Sequence, residues 1–264
     1  MSRRASRLVA AFDTPGKKLV VYVTCGHPSI DASVEIIVAA ARAGADVIEL
    51  GVPFSDPSAD GPAIQRAMTA ALAAGAGPRA ALDVTRRVRA AGCDVPIVLF
   101  GYYNPIFVSG VAGYCGAAAD AGADALLVVD LPIEESGELV PLARAAGLDV
   151  VPLLAPTSSP ARMRLAAASG APFVYYVSLT GVTGAALESS AAGLAARVAE
   201  VRAAVGCPVA VGFGIATPAQ ARDVARVADG IVVGTAIVKA IDAAPADPAG
   251  AVAALVASLK SAIS

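Results

Sequence analysis

The sequence predicts an α/β protein: a single (β/α)8 barrel of the TIM kind over residues 1–264, with a short extra N-terminal helix. Three observations carry this. The length of 264 residues suits one domain, because α/β barrels of about 250 residues are common. The 56% hydrophobic content is rich in alanine, which favours helix and adds little transfer energy. Most telling, seven alanine-rich segments each run into a glycine and then a β-branched stretch.

The elements follow in order. After Met1-Ser2-Arg3-Arg4-Ala5-Ser6-Arg7 only a few apolar residues precede Asp13-Thr14-Pro15-Gly16, too short for a signal-peptide core, so a leading helix is expected. The first strand covers 19–24. Then come Gly44 before 47–50, Gly92 before 97–100, Gly122 before 126–129 and Gly147 before 150–154. Gly170 before 173–177, Gly206 before 209–211 and Gly230 before 231–233 complete the series. Each glycine suits the left-handed cap that ends a helix, and an apolar run without alternation suits a strand buried on both faces. Eight strands, each followed by helical sequence, match a closed barrel better than an open doubly wound sheet. Pro245-Ala246-Asp247-Pro248 is expected as a turn before a terminal helix over 250–263.

Charge and cysteine content exclude several classes. A net charge of −2 with no long block of one sign offers no field for a polyanion, so no nucleic-acid partner is expected. No apolar run approaches the roughly 20 residues of a membrane span, so a soluble protein without a membrane partner is expected. Cys25, Cys93, Cys115 and Cys207 lack metal-like spacing and suit reduced thiols in the cytoplasm.

Barrel active sites lie at the C-terminal strand ends. There Glu49 stands out, since an ionisable group inside Val-Ile-Glu-Leu costs desolvation unless it is used or paired. Burial would raise its pKa toward the range where a carboxyl both gives and takes a proton near neutrality. Asp60, in the loop after the same strand, is either its partner or an ordinary helix cap before Pro62, and Asp56 competes for the role. Opposite them, Gly181-Val182-Thr183-Gly184, Gly212-Phe213-Gly214 and Gly234-Thr235 follow three neighbouring strands. Glycine backbones and a helix N-terminus there suit a phosphate or similar anion.

Tyr22, Phe54, Ile64, Phe100, Tyr102, Phe107 and Phe213 fall near strand ends, as barrel packing or as walls for a flat aromatic group. His27 beside Cys25 is expected as a strand exit, not a thiolate pair. One histidine makes a zinc site improbable, and no metal is expected. Lys17, Lys18, Lys239 and Lys260 all fall outside the expected strands, which argues against a Schiff base. Bond cleavage here would have to rely on carboxylates.

With these residues in view, the chain resembles the tryptophan synthase α subunit family over nearly its full length. The matching signatures are Glu49-Leu50-Gly51-Val52-Pro53-Phe54-Ser55-Asp56-Pro57 with Ala59-Asp60-Gly61-Pro62, and Asp130-Leu131-Pro132. Gly181-Val182-Thr183-Gly184, Gly212-Phe213-Gly214-Ile215 and Gly234-Thr235-Ala236-Ile237-Val238 complete them. The resemblance implies cofactor-free retro-aldol cleavage of indole-3-glycerol phosphate to indole and glyceraldehyde 3-phosphate. It implies Glu49 as proton shuttle, Asp60 at the indole nitrogen, Tyr175 as the pocket tyrosine close to Glu49, and Thr183 in a mobile loop that closes over the substrate, with Tyr22, Phe100 and Phe213 of the strand-end aromatics expected to bind it. Gly184, Gly214, Gly234 and Thr235 match its phosphate positions. It further implies a β subunit carrying pyridoxal phosphate in an αββα heterotetramer, approached by Asp56, Asn104, Asp130 and Pro132. Two positions depart: Leu179 stands where some members carry arginine, and Thr235 replaces a frequent serine while keeping the hydroxyl. Competing expectations are a phosphosugar isomerase, which would want an acid where this chain has Thr24-Cys25-Gly26, a stand-alone indole-releasing lyase, and a silent regulatory barrel.

Overall fold

The parallel sheet closes on itself, and its hydrogen bonds trace the closure. In the computed structural model, which describes residues 6–177, 191–212 and 214–264, β1 (Lys18–Thr24) lies between β2 (Val47–Gly51) and β8 (Gly230–Val233). On one side β3 (Ile97–Gly101) and β4 (Ala125–Val128) follow β2; on the other β7 (Val209–Gly212) and β6 (Val174–Val177) follow β8. The two arms meet on β5, whose pieces Asp149–Val150 and Leu153–Leu154 pair with β4 and β6 respectively. Val151 N–H donates to Leu126 O at 2.9 Å and Tyr175 N–H to Pro152 O at 3.0 Å, so this one segment joins both arms. The continuous strand expected over 150–154 is broken in the middle, where Pro152 has no N–H to donate.

Around the barrel run α1 (Arg7–Asp13), α2 (Ile30–Arg42), α3 (Pro62–Ala73), α4 (Pro78–Ala90), α5 (Tyr103–Val108) and α6 (Val111–Ala121). They are followed by α7 (Leu139–Ala145), α8 (Pro160–Ala168), α9 (Ala191–Val205), α10 (Pro218–Ala225), α11 (Thr235–Ala243) and α12 (Pro248–Ile263). The terminal helix thus starts two residues before the expected Gly250, with Asp247 accepting from Gly250 N–H as its cap. No helix among the described residues is long and apolar enough to cross a membrane.

Six of the seven glycines expected to end helices have positive φ, between +60° at Gly170 and +109° at Gly44. Gly230 does not. It opens β8, and a Cβ there would stand 3.2 Å from Lys18 O, so close strand packing explains it better than a cap.

Alternation sorts the strand residues. Val20, Val47, Val98, Ala125, Leu127, Val151, Phe173, Ala210 and Val232 fill the barrel interior with Leu8 of α1, which plugs its N-terminal end. Phe12 stacks on Phe173 at 4.5 Å, and Arg7 reaches buried Asp124 at 2.7 Å, so the leading helix closes the floor. Asp124 also accepts from Arg89 Nη2 and Ile97 N–H, both at 2.8 Å. Outside the sheet, a large apolar layer lies under α2, α4, α6, α7, α10, α11 and α12. A separate smaller one lies between α8, α9, β6 and β7.

Candidate active site

Glu49 faces inward because its strand neighbours Val47 and Gly51 do, while Ile48 and Leu50 face the outer layer. It pairs in register with Tyr22 on β1 and Val98 on β3, two residues from the end of β2. The side chain is 1% exposed and Oε1 has no hydrogen-bond partner among the described residues. Burial pushes its carboxyl up to about 8. Such a group holds its proton at neutrality and can still release it.

Asp60 lies just before Gly61, the N-cap of α3, in the loop that Pro57 and Pro62 bound. Its Oδ2 accepts from Tyr102 Oη at 2.7 Å, and Gln65 Nε2 donates to its backbone carbonyl at 2.9 Å. Burial raises its pKa, opposed by the Tyr102 hydrogen bond. Asp56 is exposed, so Asp60 is the acid turned inward from this loop.

Two tyrosines converge on these acids. Tyr22 is pushed well above its usual range by burial, then by Asp60 and, more weakly, Glu49. Tyr175 is raised by burial, then by Glu49 and Asp60. Each ring occupies room that a glycine leaves: a Cβ on Gly51 would stand 2.1 Å from Tyr22 Oη, and one on Gly212 2.2 Å from Tyr175 Oη. Phe100 meets Tyr22 edge-on at 5.3 Å, and Phe54 lies 5.1 Å from Tyr102. These rings can wall a flat aromatic group.

On the β7 and β8 side, Gly214 has φ +74°, and Gly234 caps α11, of which Thr235 is the first residue. A Cβ on Gly234 would be 3.5 Å from Tyr22 Cβ and 3.6 Å from Ile64 Cδ1, so this helix end borders the aromatic wall. First-turn N–H groups have no intrahelical acceptor and favour an anion. Thr183, Gly184, Leu179 and Phe213 lie outside the described residues.

Other expectations are corrected or sharpened. Phe107 is 60% exposed on α5 and does not line the mouth; its ring lies 6.0 Å from that of Tyr103. Lys18 does belong to a strand, but to its N-terminal end, where Nζ donates to Thr14 O and Oγ1 at 2.7 and 2.8 Å. Burial pushes the Cys25 thiol up to about 12, and His27 Nε2 pairs with Asp242 Oδ1 at 2.8 Å, so the two form no thiolate pair. Sequence reasoning missed the Tyr102–Asp60 bond and the roles of Gly51 and Gly212, which depend on contacts between strands.

A closed barrel with two inward-turned carboxyls at its C-terminal mouth has the frame of a barrel enzyme, and that pair could serve acid–base chemistry. Known relatives narrow that class. The chain belongs to the tryptophan synthase alpha chain family, whose profile matches residues 10–263. It is 52% identical to the tryptophan synthase alpha chain of Citrifermentans bemidjiense over 239 residues, covering 90% of this chain and 89% of that one. With that of Geobacter sulfurreducens it is 48% identical over 264 residues, covering 100% and 99%. Among solved structures, tryptophan synthase subunit alpha from Legionella pneumophila superposes with a TM-score of 0.92 at 36% identity, covering 98% and 99%. A chain of tryptophan synthase from M. tuberculosis, in an open form, gives 0.86 at 33% identity with the same coverage. The phosphosugar isomerase expectation falls with the family assignment.

Proposed function

We propose that this chain cleaves indole-3-glycerol phosphate to indole and glyceraldehyde 3-phosphate and passes the indole to a β subunit for condensation with serine. The observation that carries the reading is Glu49: buried at the barrel mouth, with no partner for Oε1 among the described residues, and with its carboxyl pushed up to about 8 by burial. Its carboxyl gives a proton to C3 of the indole, turning the ring into an indolenine that can accept electrons. The carboxylate then takes the proton of the hydroxyl on the carbon attached to C3. The carbon–carbon bond breaks, the aldehyde forms, and the electron pair returns to the ring, leaving indole. Asp60 stabilises the positive charge that develops at the ring nitrogen.

Tyr22, Phe100 and Tyr175 supply the aromatic walls in this reading, together with Phe213 and Thr183. The phosphate is assigned to Gly184, Gly214, Gly234 and Thr235, where backbone N–H groups and the α11 N-terminus favour it. None of these steps calls for a cofactor in this chain; pyridoxal phosphate belongs to the β subunit.

Support for docking comes from the loops after β2, β3 and β4. Asp56, Asn104, Asp130 and Pro132 are exposed there, as is an apolar pair, Phe107 at 60% and Val108 at 76%. Their carrier α5 is braced by Tyr103 N–H on Asp130 Oδ1 at 2.7 Å and Tyr103 Oη on Glu138 Oε2 at 2.9 Å. We assign this face to the β subunit of an αββα assembly. A steady-state assay of indole release with and without purified β subunit tests both halves. The rate should rise with β subunit; no indole would overturn the reaction, and no rate change without co-elution would favour a stand-alone lyase.

A further inference from the structure

Asp60 lies on a loop, yet its carboxylate is held from another strand end. The Tyr102 hydroxyl donates to Asp60 Oδ2 at 2.7 Å and accepts from Ala59 N–H at 3.0 Å, so one oxygen binds both the carboxylate and the backbone just before it. The N–H that Tyr102 accepts polarises its own O–H toward the acid. Tyr102 has little freedom to follow the loop. It is 2% exposed, its ring packs 5.1 Å from Phe54, and it is the N-cap residue of α5, which the next residue pins to Asp130. Turning the Asp60 carboxylate away from Tyr102 breaks the bond to Oδ2 while the Ala59 bond keeps the hydroxyl in place.

We propose that Tyr102 is a positioning residue for Asp60, holding Oδ2 so that Oδ1 faces the ring nitrogen of the substrate. This rests on Asp60 stabilising the charge at that nitrogen. Tyr102 need not touch the substrate to act, and its effect belongs to turnover more than to binding. Tyr22 and Tyr175 feel the charge of Asp60 across the mouth and that of Glu49 as well, and a change at Tyr102 leaves all three groups chemically intact.

The test compares Tyr102→Phe and Asp60→Asn with the wild type in the αβ complex, by steady-state indole release across pH. Phenylalanine keeps the ring and its packing and removes only the hydroxyl. Expected are a fall in kcat of about 10-fold or more, a KM within about 3-fold, and an acidic limb of the rate profile moved to higher pH, because the carboxylate has lost a donor to its charged form. If Asp60→Asn is inactive while Tyr102→Phe keeps kcat within about 2-fold and an unmoved limb, positioning is overturned and the role of Asp60 stands. A raised KM with unchanged kcat overturns it equally, since Tyr102 would then only shape the pocket. If Asp60→Asn itself stays active, the role of Asp60 and the proposal fall together. Should Tyr102→Phe not fold, a fluorotyrosine placed at this position gives a second reading. Its stronger donation should move the acidic limb to lower pH, and an unmoved limb overturns the proposal.

Discussion

Replacing Glu49 with glutamine links a loss of chemistry to a gain in stability. Glu49 is 1% exposed, and burial takes its carboxyl from 4.5 up to about 8. The folded chain therefore keeps a proton that the unfolded chain has already released, and between those two values stability falls as pH rises. Each pH unit inside the window costs about 1.4 kcal/mol. Between about pH 5.5 and about pH 7.5 the wild type should lose about 2 to 3 kcal/mol through this one group. Glutamine does not titrate. Urea unfolding of both proteins at the two pH values should thus show the difference between them moving by that amount in favour of Glu49→Gln. Any fixed cost of burying an amide cancels in the comparison. Indole release by the variant should fall by about 10² to 10⁴. A stability difference that stays flat with pH would show that Glu49 is already ionised in the folded protein. Near-full turnover in a folded variant would remove the proton shuttle altogether.

Other perturbations follow from the same geometry. Gly212→Ala puts a Cβ 2.2 Å from Tyr175 Oη, so the ring must move; a loss of about 1 to 3 kcal/mol in urea unfolding and a raised KM are expected. Gly234→Asp sets a negative charge at the start of α11, and the KM for the phosphorylated substrate should rise by about 10-fold or more, with weaker competition from inorganic phosphate. Phe107→Asp should end co-elution with the β subunit on a gel-filtration column, because it places a charge in the exposed apolar pair on α5. Asp124→Ala strips the acceptor from Arg7, Arg89 and Ile97 N–H at the barrel floor, and chemical denaturation should register about 3 to 5 kcal/mol.

The fold was legible wherever a rule acts locally. A glycine ending an alanine-rich stretch gives the helix stop, and a β-branched run without alternation gives the strand, so seven of the eight strands came out near their observed bounds. Gly230 misled because α10 ends at Ala225 with Arg226 as its cap in an ordinary helical conformation, leaving that glycine to the strand. The interruption of β5 was written in Pro152, whose missing donor outweighs the apolar run around it. Glu49 was legible for the same local reason, as a charge where the strand demands an apolar residue. Asp60 could not be separated from Asp56 on the chain alone, since what distinguishes them is a bond to Tyr102 from another strand end. Gly51 under Tyr22 was invisible in the same way, whereas Gly212, expected in an anion-binding turn, instead ends β7 with the Tyr175 ring where its side chain would be.

The broken β5 and the two separate outer apolar layers bear on how this barrel would come apart. Tyr175 and Gly212 belong to strands backed by the smaller layer, and Gly214 follows them; Glu49 and Tyr22 sit on strands backed by the larger layer, and Asp60 follows one of them. The two sides meet twice: β7 and β8 pair over three residues, whereas at β5 each neighbour pairs with only a two-residue piece of strand. A substrate gripped at Glu49 and at Gly214 would tie the two sides together, adding its binding energy to their separation. Occupancy of the mouth would then oppose opening of the thinner joint at β5, which none of the mouth residues itself forms.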